Sequence, residues 1–262
     1  MKTKNILMIG CGKMGGALLE HWMSGGDNFT IVDPALGQVP APAQLVADAG
    51  ELGENSYDVI VVAIKPQMIA DIMPAHADRL APGGYVLSIA AGCSAERISN
   101  AMNGAPVIRV MPNLPAAVGQ GVSGICPAPG VGDDQRAHAE AMMARTGTAI
   151  TVDSEDKLDR VTAVAGSGPG YVFEIARAYV AAAQDLGFSQ EEARAMVLGT
   201  MAGTVAMAEA DEDGDLETLR NSVTSKGGTT AAGLNALNGD ETLTRLMRST
   251  LQAAYDRAVE LR

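Results

Sequence analysis

Cysteine and histidine are scarce in this chain, and the few present are scattered. Cys11, Cys93 and Cys126 are the three cysteines in 262 residues. An odd number so far apart argues against a disulfide framework and fits a reducing cytoplasm. His21, His76 and His138 are equally dispersed, and none pairs with another ligand type at a metal-binding spacing, so no structural or catalytic metal is expected. Positive charge is short as well. Nineteen Lys and Arg face 31 Asp and Glu, a net charge of −12, which repels phosphate backbones and anionic membranes and excludes nucleic acid as an expected partner. No apolar stretch reaches membrane-spanning length, and the run from Ile6 to Ile9 is too brief for the core of a signal peptide. What the chain does have is 47% hydrophobic residues, over a length that suits one large domain or two modest ones.

The first half alternates short β-branched runs with helical patterns, the signature of a parallel sheet covered by helices. Strands are predicted at 5–9, 29–33, 58–64, 85–89, 107–110, 121–126 and 149–152, with helices at 13–24, 66–78, 95–102 and 134–146. After Asp153 turn residues thin out and Ala, Met, Leu, Glu and Arg recur at helical spacing, so 154–262 should be all helix. Pro169 suits the first turn of a helix reaching about Leu186, and Gly187 suits its stop. Ser189 and Glu192 form a capping box for a helix to about Ala208. The acidic stretch Glu209 to Asp215 reads as a solvated loop, followed by helices at 216–222, 229–238 and 241–260. Apolar positions such as Ala178, Ala181, Ala182, Leu198, Met201 and Val205 exceed what one small domain can bury, and a helix-mediated homodimer would cover them.

Gly10-Cys11-Gly12-Lys13-Met14-Gly15 follows a predicted strand and opens a predicted helix, the context in which this glycine pattern binds a dinucleotide. The first glycine permits a tight turn and the second lets backbone amides reach a diphosphate. The third packs helix on strand, while the helix N-terminus attracts the anion. Asp33 ends the second strand, where an acid binds the ribose 2′-hydroxyl of NAD and repels the extra phosphate of NADP. That favours NADH, although Lys13 could offset the acid and a strand-end Asp also serves turns, so either NADH or NADPH stays open. Ala63-Ile64-Lys65 and Ala90 lie at the carboxyl ends of two further strands, where ligands bind in open sheets. Lys65 reads equally as a solvated helix start, and Cys11 as a small packing residue.

Three motifs add a resemblance: Val110-Met111-Pro112-Asn113, Ala165-Gly166-Ser167-Gly168-Pro169, and Ser225-Lys226-Gly227-Gly228-Thr229-Thr230. In their order, and over nearly the whole chain, the sequence resembles the pyrroline-5-carboxylate reductases. The resemblance implies an N-terminal Rossmann-type nucleotide domain, 1–153, and an all-α substrate-binding and dimerisation domain, 154–262. It also implies NAD(P)H as cofactor and a homodimer that could assemble into a larger ring. The implied reaction is hydride transfer to 1-pyrroline-5-carboxylate, giving L-proline. Ser225, Gly228, Thr229 and Thr230 would bind the substrate carboxylate, Thr230 also reaching the ring nitrogen, so Ser225 and Thr230 carry the catalytic assignment. Met111 and Asn113 would shape the nicotinamide pocket. Freed N–H groups at a helix start can hold a carboxylate without arginine, while an ordinary capping turn is the plainer reading of Thr229. Lys226 stands where the family has proline, Leu114 where it has threonine, and Gly170 where it has alanine, which bears on substrate identity more than on reaction type.

A protonated imine is already an electrophile, so such a reaction needs hydride and orientation rather than a strong acid. The sequence offers no evident histidine base or paired carboxylates. β-Hydroxyacid dehydrogenases share the domain plan but need a lysine as proton acceptor, and Val172 stands at that place. Reduction of a related cyclic imino acid, or a silent NAD(P)-binding sensor or scaffold, are the other readings.

Overall fold

A computed structural model describes residues 2–211 and 214–262. Glu212 and Asp213, part of the expected acidic loop, lie outside the described residues.

Eight strands form one sheet in the order β3-β2-β1-β4-β5-β6-β7-β8. They are β1 (Asn5–Ile9), β2 (Asn28–Val32), β3 (Gln44–Val46), β4 (Tyr57–Val62), β5 (Leu80–Ser88), β6 (Val107–Met111), β7 (Gly121–Pro127) and β8 (Gly147–Thr151). The central strands are apolar without alternation because both their faces are covered. Ile6 and Met8 pack with Val59, Val61 and Leu87 on one side. Leu7 and Ile9 pack with Ile60, Val62 and Val86 on the other. Each such side chain, removed from water, contributes about 1.5 to 3 kcal/mol.

The helices of this layer are α1 (Lys13–Trp22), α2 (Ile69–Ile72), α3 (Ala95–Ala101) and α4 (Asp133–Ala144). Three features depart from the sequence expectation. β7 runs antiparallel to β6, because the connection between Met111 and Gly121 is shorter than a parallel crossover requires. The helix predicted over 66–78 is broken into 3-10 turns at Pro66–Met68 and Met73–Arg79 flanking α2, since Pro74 lacks the N–H that a continuous helix would use. β3 was not anticipated; it is a three-residue edge strand beyond the Pro- and Ala-rich segment 34–43.

The remaining helices are α5 (Glu155–Val161), α6 (Gly168–Asp185), α7 (Gln190–Ala210), α8 (Leu216–Ser222), α9 (Thr229–Asn238) and α10 (Thr242–Leu261). A π-helical turn, Thr162–Gly166, joins α5 to Ser167. Two compact units result: residues up to Pro169 together with Ala253–Arg262, and Gly170–Gln252. Within the first, the Tyr255 hydroxyl donates to Asp156 and Arg262 Nε lies 3.3 Å from the buried Asp159 carboxylate. Within the second, Ser189 and Glu192 form the expected capping box and Gly187 takes the left-handed conformation, φ +99°. α7 continues through Glu209 and Ala210, so the loop begins later than expected. Among the described residues, no helix is long and apolar enough to cross a membrane.

Candidate active site

The strand order reverses between β1 and β4, which both lie beside each other and parallel, and the crevice at such a switch point is where open α/β sheets bind ligands. Backbone bonds align the strand ends there. Gly10 N–H donates to Val32 O at 2.9 Å, Ala63 N–H to Ile9 O at 2.9 Å and Ile89 N–H to Val62 O at 3.0 Å. The glycine loop, Asp33, Ala63-Ile64-Lys65 and Ala90 therefore end up side by side on one edge of the sheet, as the sequence predicts.

Each glycine in the loop has its own reason. Gly10 sits at φ +80°, and a Cβ there would lie 2.7 Å from Ile64 Cγ2 and 2.9 Å from Ala63 O. Gly15 has no room either, with Met8 Cε 2.6 Å from a Cβ. Gly12 differs: nothing comes within 4 Å of a Cβ at that position, and it is the N-terminal cap of α1 without a side-chain cap. An open backbone face at a helix N-terminus is what a diphosphate needs for close approach. The residues present thus fit the nucleotide implied by the loop. Lys13 and Lys65 are exposed, Met14 and Ile64 half-buried, and Ala90 buried.

Cys11 is buried, and its thiol is pushed up by burial and then by the Asp33 charge, so it stays neutral and packs. Its backbone carries the contact: Cys11 N–H donates to Asp33 Oδ2 at 2.8 Å. The second oxygen, Oδ1, accepts from Ala35 N–H at 2.9 Å. The sequence contained the signal for the second bond, an Asp two residues before Ala35 in a turn; the bond to the loop it did not reveal.

On the same sheet, Met111 closes β6, with its Cε 3.0 Å from where a Cβ on Gly166 would lie. Asn113 is buried and its amide is spoken for at both ends, donating to Ala165 O at 3.0 Å and accepting from Val122 N–H at 2.8 Å. It therefore pins the end of β6 to the π-helical turn, a role that sequence reasoning missed. Nearby, Arg109, 5% exposed, pairs with Glu155 Oε1 at 3.0 Å, and the same oxygen accepts from Ala95 N–H at 2.8 Å.

In the second unit the Ser225-to-Thr230 segment is a tight turn leading into α9. Gly228 N–H donates to Ser225 O at 3.0 Å, Gly227 takes φ +72°, and a Cβ on Gly228 would run into Ser225 Oγ. Gly228 caps α9 with no side-chain bond. Ser225, Lys226, Thr229 and Thr230 are exposed, leaving hydroxyls and first-turn amides available to an anion.

Comparison with known proteins bears on this arrangement. The family model described as "Pyrroline-5-carboxylate reductase dimerisation" matches residues 155–261, and one described as "NADP oxidoreductase coenzyme F420-dependent" matches 5–92. The pyrroline-5-carboxylate reductase of Vibrio alginolyticus is 33% identical over 100% of this chain and 98% of its own. That of Pseudomonas aeruginosa is 34% identical over the same shares. The chain belongs to the pyrroline-5-carboxylate reductase family. Among solved structures, the Coxiella burnetii pyrroline-5-carboxylate reductase superposes with a TM-score of 0.91, at 32% identity and 99% coverage of both chains. A Plasmodium falciparum pyrroline carboxylate reductase with NADP bound shares the fold, at TM-score 0.83 and 23% identity, covering 100% of this chain and 99% of its own. Membership of the pyrroline-5-carboxylate reductase family accounts for the plan seen here, a Rossmann-type sheet followed by a helical dimerisation region.

Proposed function

We propose that the chain reduces the C=N bond of 1-pyrroline-5-carboxylate to give L-proline, the closing step of a proline biosynthesis in the cytoplasm. A reduced nicotinamide cofactor, when bound, supplies the hydride. The observation that carries the reading is that the chain offers two open helix starts with separate tasks. Gly12 at α1 suits the diphosphate, and the Ser225–Thr230 turn at α9 suits a carboxylate.

Around the nucleotide, Gly10, Cys11, Gly12, Lys13, Met14 and Gly15 form the loop, Asp33 meets the adenosine ribose, and Ala63, Ile64, Lys65 and Ala90 border it. Met111 and Asn113 hold the shape of the nicotinamide pocket. Ser225, Gly228 and Thr229 hold the substrate carboxylate, and the Thr230 hydroxyl aligns the ring nitrogen. Orientation suffices because the iminium carbon accepts hydride without further activation. Functionally, 1–153 takes the nucleotide, and 154–262 takes the substrate and a second subunit. The dimer supported by family membership would use the exposed helical faces, and rings of dimers are its natural extension.

The reading is tested by following absorbance at the reduced-nicotinamide band with fresh substrate, with NADH and NADPH in parallel and proline quantified at the end. Oxidation matched by proline supports it; silence with both cofactors overturns it.

A further inference from the structure

The carboxylate at the end of β2 is held in place rather than merely present. Both Asp33 oxygens accept backbone N–H groups, Oδ2 from Cys11 in the glycine loop and Oδ1 from Ala35. Two such bonds fix its position. The segment that carries it supplies no cation of its own. From Asn28 to Ile64, covering β2, its exit, β3 and all of β4, there is no lysine, arginine or histidine, while Asp33, Asp48, Glu51, Glu54 and Asp58 all fall in that span. A nucleotide carrying a 2′-phosphate would bring roughly two negative charges to this acidic segment, where the flanking cations are Lys13 in the loop, Lys65 after β4, and Arg79, whose guanidinium is already bonded to Ala49 O and Gly53 O.

Building on the reading of the site as a reduced-nicotinamide site, we infer that Asp33 makes the chain select NADH over NADPH, and that it does so while clamping the glycine loop. The two tasks share one carboxylate. It accepts the ribose hydroxyl of an NADH with its remaining lone pairs, repels a 2′-phosphate, and through Cys11 N–H holds the loop that receives the diphosphate. Selectivity and loop geometry are therefore coupled, so removing Asp33 does not simply convert the coenzyme preference. Asparagine keeps one acceptor oxygen and loses the charge. Alanine loses both.

The test is calorimetric titration of the full-length dimer with NADH and with NADPH, without substrate, alongside steady-state kinetics with each. The unaltered protein should bind NADH at least tenfold more tightly. Asp33→Asn should bring NADPH affinity up and narrow the ratio at least fivefold. Asp33→Ala should weaken both nucleotides. Ala35→Arg, which leaves Asp33 and its bond to Cys11 in place, should raise NADPH affinity alone by supplying the missing cation. Equal affinities in the unaltered protein, or an unchanged ratio in both Asp33→Asn and Ala35→Arg with melting profiles intact, would overturn the inference. Should NADH bind as expected without being oxidised by pyrroline-5-carboxylate, the reduction reading fails and the coenzyme inference stands.

Discussion

The two units of this chain solve the burial problem differently. The first encloses Trp22, Tyr85, Ile6, Leu7, Met8, Ile60 and other large side chains with under 2% of their surface left in water. The second, 83 residues long from Gly170 to Gln252, buries, among the described residues, only Ala176, Ala183, Ala193 and Val197. Its larger apolar groups lie open: Phe173 is 64% exposed, Val205 58% and Leu246 58%. A sheet with two covered faces completes a core within one chain. Helices this apolar on their outside are built to meet another surface, and a second copy of the chain is the occupant that family membership supports.

The contrast can be broken from the first side by emptying its core. Ile60→Ala in β4, at 0% exposure, should lower stability by about 2 to 5 kcal/mol, read from urea unfolding, with the effect independent of protein concentration. The second side should respond the other way. Val205→Asp places a charge on a face meant to be covered, where an unpaired charge costs several kcal/mol. Sedimentation should show monomers, and nucleotide binding should survive; an unchanged dimer would remove Val205 from the interface. Thr230→Ala sharpens the division of labour. Loss of one hydrogen bond to a charged substrate, about 1.5 to 3 kcal/mol, should cut kcat/KM roughly ten- to hundredfold, with NADH affinity nearly constant. Equal loss of both would contradict its assignment.

The smallest effect lies in a buried polar chain of the first unit. Tyr85 Oη is 2.8 Å from His138 Nδ1, and His138 Nε2 is 3.2 Å from Asp27, whose other oxygen accepts from Lys4 N–H at 2.9 Å. A carboxylate only accepts, so Nε2 carries the proton and Tyr85 donates to Nδ1. Burial lowers the imidazole below its usual value, opposed by Asp27 and reinforced by Lys4 and Arg145. A folded value below the unfolded one means that the unfolded chain takes up the proton first. His138 thus contributes stability above about pH 6.5, and that contribution falls as the pH drops, by at most about 1.4 kcal/mol per unit. His138→Gln should flatten the stability profile between pH 7 and 5, and an unchanged slope would show that other groups set it.

Much of this was legible beforehand, for reasons that differ by element. β1 and β4 announce themselves because strands buried on both faces must be apolar throughout, and α7 because Ser189 and Glu192 close its first turn. β3 was hidden because three residues at a sheet edge carry no pattern of their own. The antiparallel β7 follows from the short connection between the predicted strands 107–110 and 121–126, a signal that the overall strand-and-helix alternation outweighed. At the site, the glycines could be read one by one, since a tight turn, an open face and a close helix each demand them. The bonds of Asp33 to Cys11 and of Asn113 to Ala165 could not. They join residues 22 and 52 positions apart, and only the folded sheet brings them together.

The central claim is that hydride passes from a nicotinamide to the imine carbon on this chain. It is tested most directly with NADH dideuterated at C4 and unlabelled pyrroline-5-carboxylate, the product being read by mass spectrometry and NMR. The expected product is proline carrying a single deuterium at C5, the former imine carbon. Consumption of the labelled cofactor that leaves proline unlabelled, or labelled at another carbon, would contradict the account.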